Sequence, residues 1–343
     1  MGDHASTAPP IPRRQRRQEA VSVSEDWQGG SLPALVRSRQ PLTDLAGWIG
    51  ANRDTVDDLV RRTGAVLFRG FAVPDAAAFH DAIGALSDEV LSYGERSSPR
   101  SEVIGNRVYT STEHPASERI LPHNEQSYTL NWPMRISFFC ETPPDTGGRT
   151  PLVDSRRVLT RLSAVTRARF EETGVRYVRN YIPGISLSWQ EAFQTDDRAV
   201  VEEHCGRDGI TCEWSGDGSL RTTQTRPAVH RHPVTGEATW FNHAHFFHVL
   251  SMPSGVGQDL LDSLGEEKLP YHTYYGDGAP ISPETLDELH RAYEAETRSF
   301  DWQRGDVLVV ENMLVAHARD SYTGPRRILA AMTDAHRSVA GRS

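Results

Sequence analysis

Long hydrophobic runs are missing from this sequence. No stretch of about 18 consecutive apolar residues, the length that a membrane-spanning helix needs, occurs in its 343 residues. The N-terminal residues also lack the apolar core of a secretory signal. We therefore expect a soluble, cytoplasmic protein that has no membrane partner.

Cysteine is scarce as well, and acidic residues outnumber basic ones, 46 to 37. The three cysteines, Cys140, Cys205 and Cys212, form no CxxC pair, and an odd count argues against a disulfide scaffold. The formal net charge of −9 disfavours nucleic-acid binding, which needs a surplus of lysine and arginine against phosphate. These deficits exclude a secreted disulfide-rich protein and make nucleic acid an unexpected partner.

The composition changes near residue 24. Residues 1–24 are rich in proline, serine, glutamine and arginine and show no hydrophobic periodicity, which predicts a flexible tail. The remaining residues, 25–343, can bury one large core, and we predict that they form a single domain.

Two kinds of hydrophobic pattern alternate after the tail. Apolar residues spaced three or four apart predict helices packed on a core at 55–63, 79–90, 156–172 and 283–297. In the third of these, we expect Val158, Leu162 and Val165 to share the buried side, after a capping signal at Asp154. Short apolar runs between turn residues predict buried strands at 65–68, 136–139, 306–310 and 328–332.

The triplet His123-Asn124-Glu125 is the first candidate for chemistry. In an extended strand, residues i and i+2 point to the same side, so His123 and Glu125 could bind one metal ion while Asn124 points away. Together with the distant His317, they would provide the two imidazoles and one carboxylate that hold iron(II) and leave its opposite face open. By itself, a His-x-Glu triplet also occurs as a solvated surface pair.

Two longer stretches resemble a known family. LPHNEQSYTLNWPMRISFFCETPPDTGGRTPLVD (121–154) and WQRGDVLVVENMLVAHARDSYTGPRRILAAM (302–332) resemble the taurine-dioxygenase-like branch of the iron(II)/2-oxoglutarate-dependent oxygenases, especially the clavaminate-synthase-like amino-acid hydroxylases. The resemblance covers most of residues 55–335. It implies a mixed α+β fold with a mainly β core, a double-stranded β-helix or jelly roll braced by helices. It also implies a dioxygenase that uses Fe(II), 2-oxoglutarate and O₂.

The resemblance assigns roles to individual positions. It implies that His123, Glu125 and His317 are the iron ligands, with Glu125 standing where most members have aspartate. Relatives that halogenate carry a small residue at that place, so Glu125 predicts oxygenation. Thr150 and one of Arg326 and Arg327 match the residues that hold the far carboxylate of 2-oxoglutarate. Adjacent strand residues face opposite ways, so only one arginine can point inward; the resemblance to the hydroxylase branch favours Arg326, whereas the more distant taurine-dioxygenase pattern favours Arg327.

The substrate is less well defined by the sequence. Candidate contacts are Asn242, Ser127 and Tyr128. Relatives that act on free acids have a further arginine four residues after the co-substrate arginine, and here those positions are Ala330 and Ala331. We therefore expect an amino-acid-like small molecule, either free or tethered to a carrier protein, and a role in natural-product (antibiotic) biosynthesis.

Several alternatives remain open at this level. Hydroxylation is the expected outcome, but desaturation, epoxidation and ring closure use the same cofactor chemistry. A zinc hydrolase could use the same three ligands, and a non-catalytic binding barrel could keep the fold. The spacing in His243-x-His245-x-x-His248 could form a second metal site, although buried histidines often only pack. His230 and His232 lie beside Pro233, and we predict a surface turn there.

Overall fold

We describe residues 20–40, 42–91, 102–104, 108–110, 114–252 and 255–338 of the chain from a computed structural model, with the side chain of residue 102 left out. Residues 1–19 of the predicted tail lie outside this range. The tail boundary was placed too late, because Val21–Ser24 forms a strand that pairs with Ala34–Ser38. Val21 is buried in the first hydrophobic core, which explains why this segment is held in place.

The described residues contain the following elements in chain order. The strands are β1 Val21–Ser24, β2 Ala34–Ser38, β3 Ala65–Arg69, β4 Glu102–Ile104, β5 Val108–Thr110, β6 Ile120–His123, β7 Asn131–Thr142, β8 Thr146–Gly147, β9 Leu152–Asp154, β10 Val175–Tyr181, β11 Thr211–Trp214, β12 Leu220–Arg226, β13 Val229–Arg231, β14 Ala238–Trp240, β15 Tyr271–Tyr275, β16 Thr297–Arg298, β17 Val307–Glu311, β18 Val315–Arg319, β19 Tyr322–Thr323 and β20 Arg327–Arg337. The α-helices are α1 Leu45–Ala51, α2 Arg53–Thr63, α3 Ala76–Leu86, α4 Ser155–Arg161, α5 Ala164–Thr173, α6 Trp189–Phe193, α7 Arg198–Arg207, α8 Val256–Leu264 and α9 Pro283–Glu296. Short 3₁₀ helices span Val249–Ser251 and Glu266–Lys268.

Two sheets form the centre of the fold. One has eight strands in the order β1-β2-β3-β17-β7-β20-β5-β4, and the other has four in the order β16-β9-β18-β6. A single hydrophobic cluster contains residues of both sheets, as expected when their inner faces pack together. It includes Leu67, Ile136, Phe138, Cys140, Leu152, Leu308, Val315 and Ile328. No ladder among the described residues closes these sheets into a barrel. The predicted jelly-roll class is confirmed, and its two sheets pack face to face without closing.

The outer face of the eight-stranded sheet is covered by helices. Alternate residues of β17 point to opposite faces, so Leu308 enters the cluster between the sheets while Val309 packs against α1, α2 and α3. The central strands are therefore hydrophobic on both faces, and their runs do not alternate. Helix α2 ends at Gly64, whose φ of 84° is readily adopted only by glycine. The predicted helix at 55–63 and the strand that follows it are confirmed.

A further sheet, in the order β11-β12-β10-β15, lies beside this core. Its strand β10 contributes to a third hydrophobic cluster, which it shares with α4, α5 and α9. The predicted helix at 283–297 is confirmed as α9, and its predicted buried residues Leu286, Leu289 and Tyr293 are in this cluster.

The helix predicted over 156–172 is wrong in its middle. Leu162 has an extended backbone conformation with ψ of 141°, and the Ser163 side chain caps a second helix, so α4 and α5 are separate. Val165, expected on the buried side, is 81% exposed, because the break changes the rotation of the second helix. The predicted cap at Asp154 is confirmed, since its carboxylate accepts from the Arg156 backbone N–H at 2.9 Å. The helix predicted over 79–90 occupies Ala76–Leu86.

Within the described part of the chain, we find no helix that combines the length and the apolar character needed to cross a membrane.

Candidate metal centre and co-substrate pocket

His123, Glu125 and His317 converge at one place. His123 is the last residue of β6, and it lies directly opposite His317 of the neighbouring strand β18. One potential ligand atom from each of His123, Glu125 and His317 lies within 4.8 Å of the others, and no other such group of three occurs among the described residues. Glu125 does not lie on the strand as predicted. It lies in the turn after β6, just before Gln126 with its φ of 55°.

Asn312 holds this turn from behind. Its side-chain Oδ1 accepts from the Glu125 backbone N–H at 2.7 Å, and its Nδ2 donates to the Glu125 carbonyl at 2.9 Å. The same Nδ2 donates to the Pro133 carbonyl at 2.9 Å, and Asn124 donates to the Asn312 carbonyl at 2.6 Å. Asn312 and Asn124 are both fully buried. The sequence contained Asn312 within a family-like pattern, but only the fold shows that its amide fixes Glu125.

The orientation of the His123 ring is also set by the backbone. Its Nδ1 lies 2.9 Å from the Leu121 carbonyl, which can only accept, so Nδ1 carries the proton and Nε2 is the ring nitrogen whose lone pair could bind a metal. The rings of His317 and Phe246 lie 4.5 and 4.6 Å from that of His123. Phe138, from the opposite sheet, lies 5.1 Å from the His317 ring. The site therefore lies between the two sheets and has apolar walls that limit water.

Arg326 and Arg327 point in opposite directions. Arg326 is partly buried, donates from Nε to the Gly148 carbonyl at 3.0 Å, and lies over the Tyr322 ring with 5.5 Å to the centroid. Burial, followed by the charge of Arg319, lowers the pKa of Arg326 to about 10, so the guanidinium stays protonated at neutral pH. Arg327 has a half-exposed side chain and forms an ion pair with Glu141 at 2.6 Å. Of the two, Arg326 is the arginine that faces the interior.

Thr150 lies on the same side of the fold as Arg326. Its side chain is buried, and its Oγ1 accepts from the Trp302 indole N–H at 3.0 Å. This bond leaves the hydroxyl proton of Thr150 available to a carboxylate. Gly148, with φ of 60°, brings the backbone so close to Arg326 that a Cβ there would lie 3.0 Å from the arginine Cδ. An inward-facing guanidinium and a hydroxyl donor are the groups expected around the far carboxylate of 2-oxoglutarate.

These residues fit iron(II) chelated by a 2-oxo acid. Two imidazole nitrogens and one carboxylate oxygen within a few ångströms of one another are the ligand set of non-haem iron(II) oxygenases. The family model "Taurine catabolism dioxygenase TauD, TfdA family" matches residues 31–333. The chain belongs to the TauD/TfdA family.

Two curated relatives of this TauD/TfdA protein agree with the assignment. Dapdiamide synthesis protein DdaC of Enterobacter agglomerans is 40% identical over 279 residues, which cover 81% of this chain and 84% of DdaC. Clavaminate synthase-like protein At3g21360 of Arabidopsis thaliana is 32% identical over 295 residues, which cover 83% of this chain and 86% of the relative. The protein is an iron(II)/2-oxoglutarate-dependent dioxygenase that uses O₂, and this sets aside the zinc hydrolase and the non-catalytic barrel.

Solved structures of TauD/TfdA-like proteins share its fold. PvcB of Pseudomonas aeruginosa has a TM-score of 0.55 at 16% identity, covering 97% of this chain and 95% of PvcB. A taurine dioxygenase of Burkholderia xenovorans has a TM-score of 0.51 at 17% identity, covering 92% and 89% of the two chains. Likeness at this level of identity establishes the architecture alone.

The three histidines of the segment 243–248 point to different places. His243 Nδ1 forms a hydrogen bond of 2.6 Å with the Ser127 hydroxyl, and the His243 ring lies 6.0 Å from the His123 ring. His245 stacks on Tyr293 at 4.7 Å, and His248 lies 4.4 Å from the His272 ring. Burial lowers the pKa of His243 well below the usual range and that of His245 and His248 to about 3. These are neutral packing groups, and they do not form the alternative second metal site.

The three predicted substrate contacts differ in position. Ser127 is hydrogen-bonded to His243, the neighbour of His123. The Tyr128 ring lies 4.9 Å from the His243 ring, and Tyr128 belongs to the third hydrophobic cluster. Asn242 is buried, its Nδ2 donates to the Ala228 carbonyl, and its Oδ1 accepts from the Ala244 backbone N–H, both at 2.8 Å. A substrate contact at Asn242 would require these bonds to break, so its amide more simply serves to hold the loop.

The predicted exposed turn is present at residues 233–235, but His230 lies on β13 and the His232 side chain is buried. His232 is only 2% exposed, and its Nδ1 accepts from the backbone N–H groups of Val234 and Thr235. The remaining proton is therefore on Nε2, which lies 3.3 Å from the carboxylate of Glu311. Glu311 directly precedes Asn312, so this buried pair supports the backbone that holds the metal site.

Proposed function

We propose that this dioxygenase hydroxylates an unactivated C–H bond of an amino-acid-like small molecule in natural-product biosynthesis. The observation that carries the proposal is the convergence of His123, Glu125 and His317 within 4.8 Å, which we propose hold the iron. When bound, iron(II) supplies C–H oxidation by O₂ while 2-oxoglutarate is converted to succinate and CO₂. We propose that Glu125 fills the third protein position and so leaves no place for a halide, which favours oxygen transfer.

Arg326 and Thr150 hold the far carboxylate of 2-oxoglutarate in this proposal. The inward position of Arg326 supports a charge-assisted contact between its guanidinium and this carboxylate, and the Thr150 hydroxyl is the matching uncharged donor. Trp302 fixes that hydroxyl from the opposite side. The chain's task is therefore to orient the co-substrate and to exclude water, with Phe138 and Phe246 lining the metal site.

The substrate class rests on two kinds of support. DdaC is described as a dapdiamide synthesis protein, and PvcB as an oxygenase from an isonitrile synthetic pathway. Ala330 and Ala331 are both buried and uncharged, so neither can bind a substrate carboxylate. We propose that the carboxyl group is held elsewhere or is masked as a thioester on a carrier protein.

An anaerobic titration of the metal-free protein tests the cofactor site. Iron(II) and 2-oxoglutarate should produce the visible charge-transfer band of a chelated 2-oxo acid, and a His317→Ala variant should lack it. If correctly folded native protein shows no such band, the proposed function is refuted.

A second experiment tests the substrate class. Free amino acids and the same amino acids loaded on carrier proteins would be incubated with the complete enzyme, and a mass increase of one oxygen atom would be sought. Robust turnover of free amino acids alone would refute the masked-carboxyl version.

A further inference from the structure

Arg319 lies two residues after His317 on β18, so both side chains leave the strand on the same face. The pairing of β18 with β9 brings His317 opposite Leu152. Backbone bonds from Ala318 to Pro151 at 2.9 Å and from Asp320 to Arg149 at 3.1 Å continue the same register. Arg319 is therefore the cross-strand neighbour of Thr150, and such neighbours have Cβ atoms about 5 Å apart.

The Arg319 guanidinium is buried beside Arg326. Arg319 is 5% exposed, and the Tyr322 ring lies under both guanidinium groups, at 5.3 Å from Arg319 and 5.5 Å from Arg326. Arg319 donates to the backbone carbonyls of His114, Pro115 and Glu118 at 2.6–2.9 Å. Its Nε is buried, and no described residue accepts a hydrogen bond from it.

The positive charges of Arg319 and Arg326 repel each other, and the charge of Arg319 lowers the pKa of Arg326. Carbonyl dipoles satisfy N–H groups but do not neutralise charge. Glu118 is the described carboxylate whose charge acts on Arg319, but it lies beyond ion-pair distance of Arg319 and pairs with His114 at 2.8 Å. In a poorly solvated pocket, this repulsion is stronger than in water. An anionic group that enters beside Thr150 relieves it, which makes the pair of arginines selective for negative charge.

We propose that Arg319 is a second cationic residue of the pocket for the far carboxylate, and that it makes the enzyme select a dicarboxylic over a monocarboxylic 2-oxo acid. This inference rests on the proposed 2-oxoglutarate site and deepens it. The competing explanation is that Arg319 only ties the segment 114–118 to β18. A purely structural role would affect both kinds of 2-oxo acid alike.

Two co-substrates separate these explanations. The metal-free protein with iron(II) would be titrated anaerobically with 2-oxoglutarate and with 2-oxopentanoate, in which a methyl group replaces the far carboxylate. In Arg319→Gln, we expect 2-oxoglutarate to bind about 10- to 100-fold more weakly, the range for losing one hydrogen bond to a charged group. The dissociation constant of 2-oxopentanoate should change less than about threefold, since that acid has no far carboxylate.

Arg119→Gln is the matched control, because the Arg119 side chain is 69% exposed and forms a surface ion pair with Asp320 at 3.7 Å. It should bind both acids like the native protein, and its 2-oxoglutarate affinity should keep the native salt dependence, whereas Arg319→Gln should show a weaker one. Circular dichroism would check folding. If Arg319→Gln does not fold, the same titrations are made with Arg319→Lys, which keeps the positive charge. Near-native affinity for both 2-oxo acids supports the proposal, and an equal loss of affinity for both overturns it.

Failure of the inference and failure of the proposed function give different results. If native protein shows no band with 2-oxoglutarate, the co-substrate site itself is wrong. If native protein shows the band but Arg319→Gln loses affinity for both acids equally, or for neither, the second-cation role is refuted while the site stands.

Discussion

Replacing Asn312 by alanine should loosen the proposed metal site and destabilise the fold. The change removes one acceptor and two donor contacts, and it leaves the Glu125 N–H, the Glu125 carbonyl and the Pro133 carbonyl buried without these partners. Each unsatisfied buried group costs about 1–3 kcal/mol. Because the losses share one side chain and the turn can relax, we expect a total of about 3–5 kcal/mol. That is a large part of the roughly 5–15 kcal/mol that holds a typical domain folded.

Urea unfolding of the metal-free protein measures the stability change. Iron(II) affinity should fall as well, by about 10- to 100-fold, since mutation of groups that orient metal ligands has effects of that size. Asn131→Ala is the control, because Asn131 is exposed and, within the described parts of the chain, its Oδ1 accepts only from Arg337, at 3.5 Å; it should change stability by less than about 0.5 kcal/mol. A loss below about 1 kcal/mol in Asn312→Ala, with native iron affinity, would refute this reasoning.

Three further predictions follow from the described geometry. Arg326→Gln should weaken 2-oxoglutarate binding at least about tenfold by loss of a charge-assisted contact, while Arg327→Gln should not; equal effects in the charge-transfer titration would contradict the inward assignment. The pKa of His245 falls from 6.5 to about 3 through burial, so the unfolded chain takes up its proton first and stability is lost as pH decreases from 6.5 towards 3, by up to about 1.4 kcal/mol per pH unit. His245→Phe should make this acid loss shallower in urea unfolding at pH 7, 6 and 5, and an unchanged slope would count against it. Burial raises the pKa of Cys140 to about 12, so a disulfide reagent at pH 8 should modify it only after unfolding; rapid reaction in the native protein would show an accessible thiolate.

Hydrophobic patterns within short segments correctly predicted the helices and strands that depend mainly on local sequence. The apolar spacing ending at Gly64 predicted α2, and the run at 306–310 predicted a buried strand that is observed as Val307–Glu311. The same reasoning failed at Leu162, because a helix break between two amphipathic segments hardly changes the hydrophobic pattern. It also failed for the His232 side chain, which is buried beside an exposed turn because it contacts Glu311, a partner far along the chain.

The sequence by itself determined which residues could carry the chemistry. Through resemblance, it pointed to His123, Glu125 and His317, and to one of two adjacent arginines. Only the tertiary structure shows which of Arg326 and Arg327 faces the interior, because the direction of a strand residue depends on register with a distant strand.

The tertiary structure also decided how the site is supported. Asn312 is 187 positions from Glu125, and Arg319 is more than 150 positions from Thr150, so no local pattern could join them. Hydrogen bonds and cross-strand pairs depend on distances in space, and these exist only after the two sheets have packed together. The sequence sets which residue types are present, whereas the fold determines which residues contact one another.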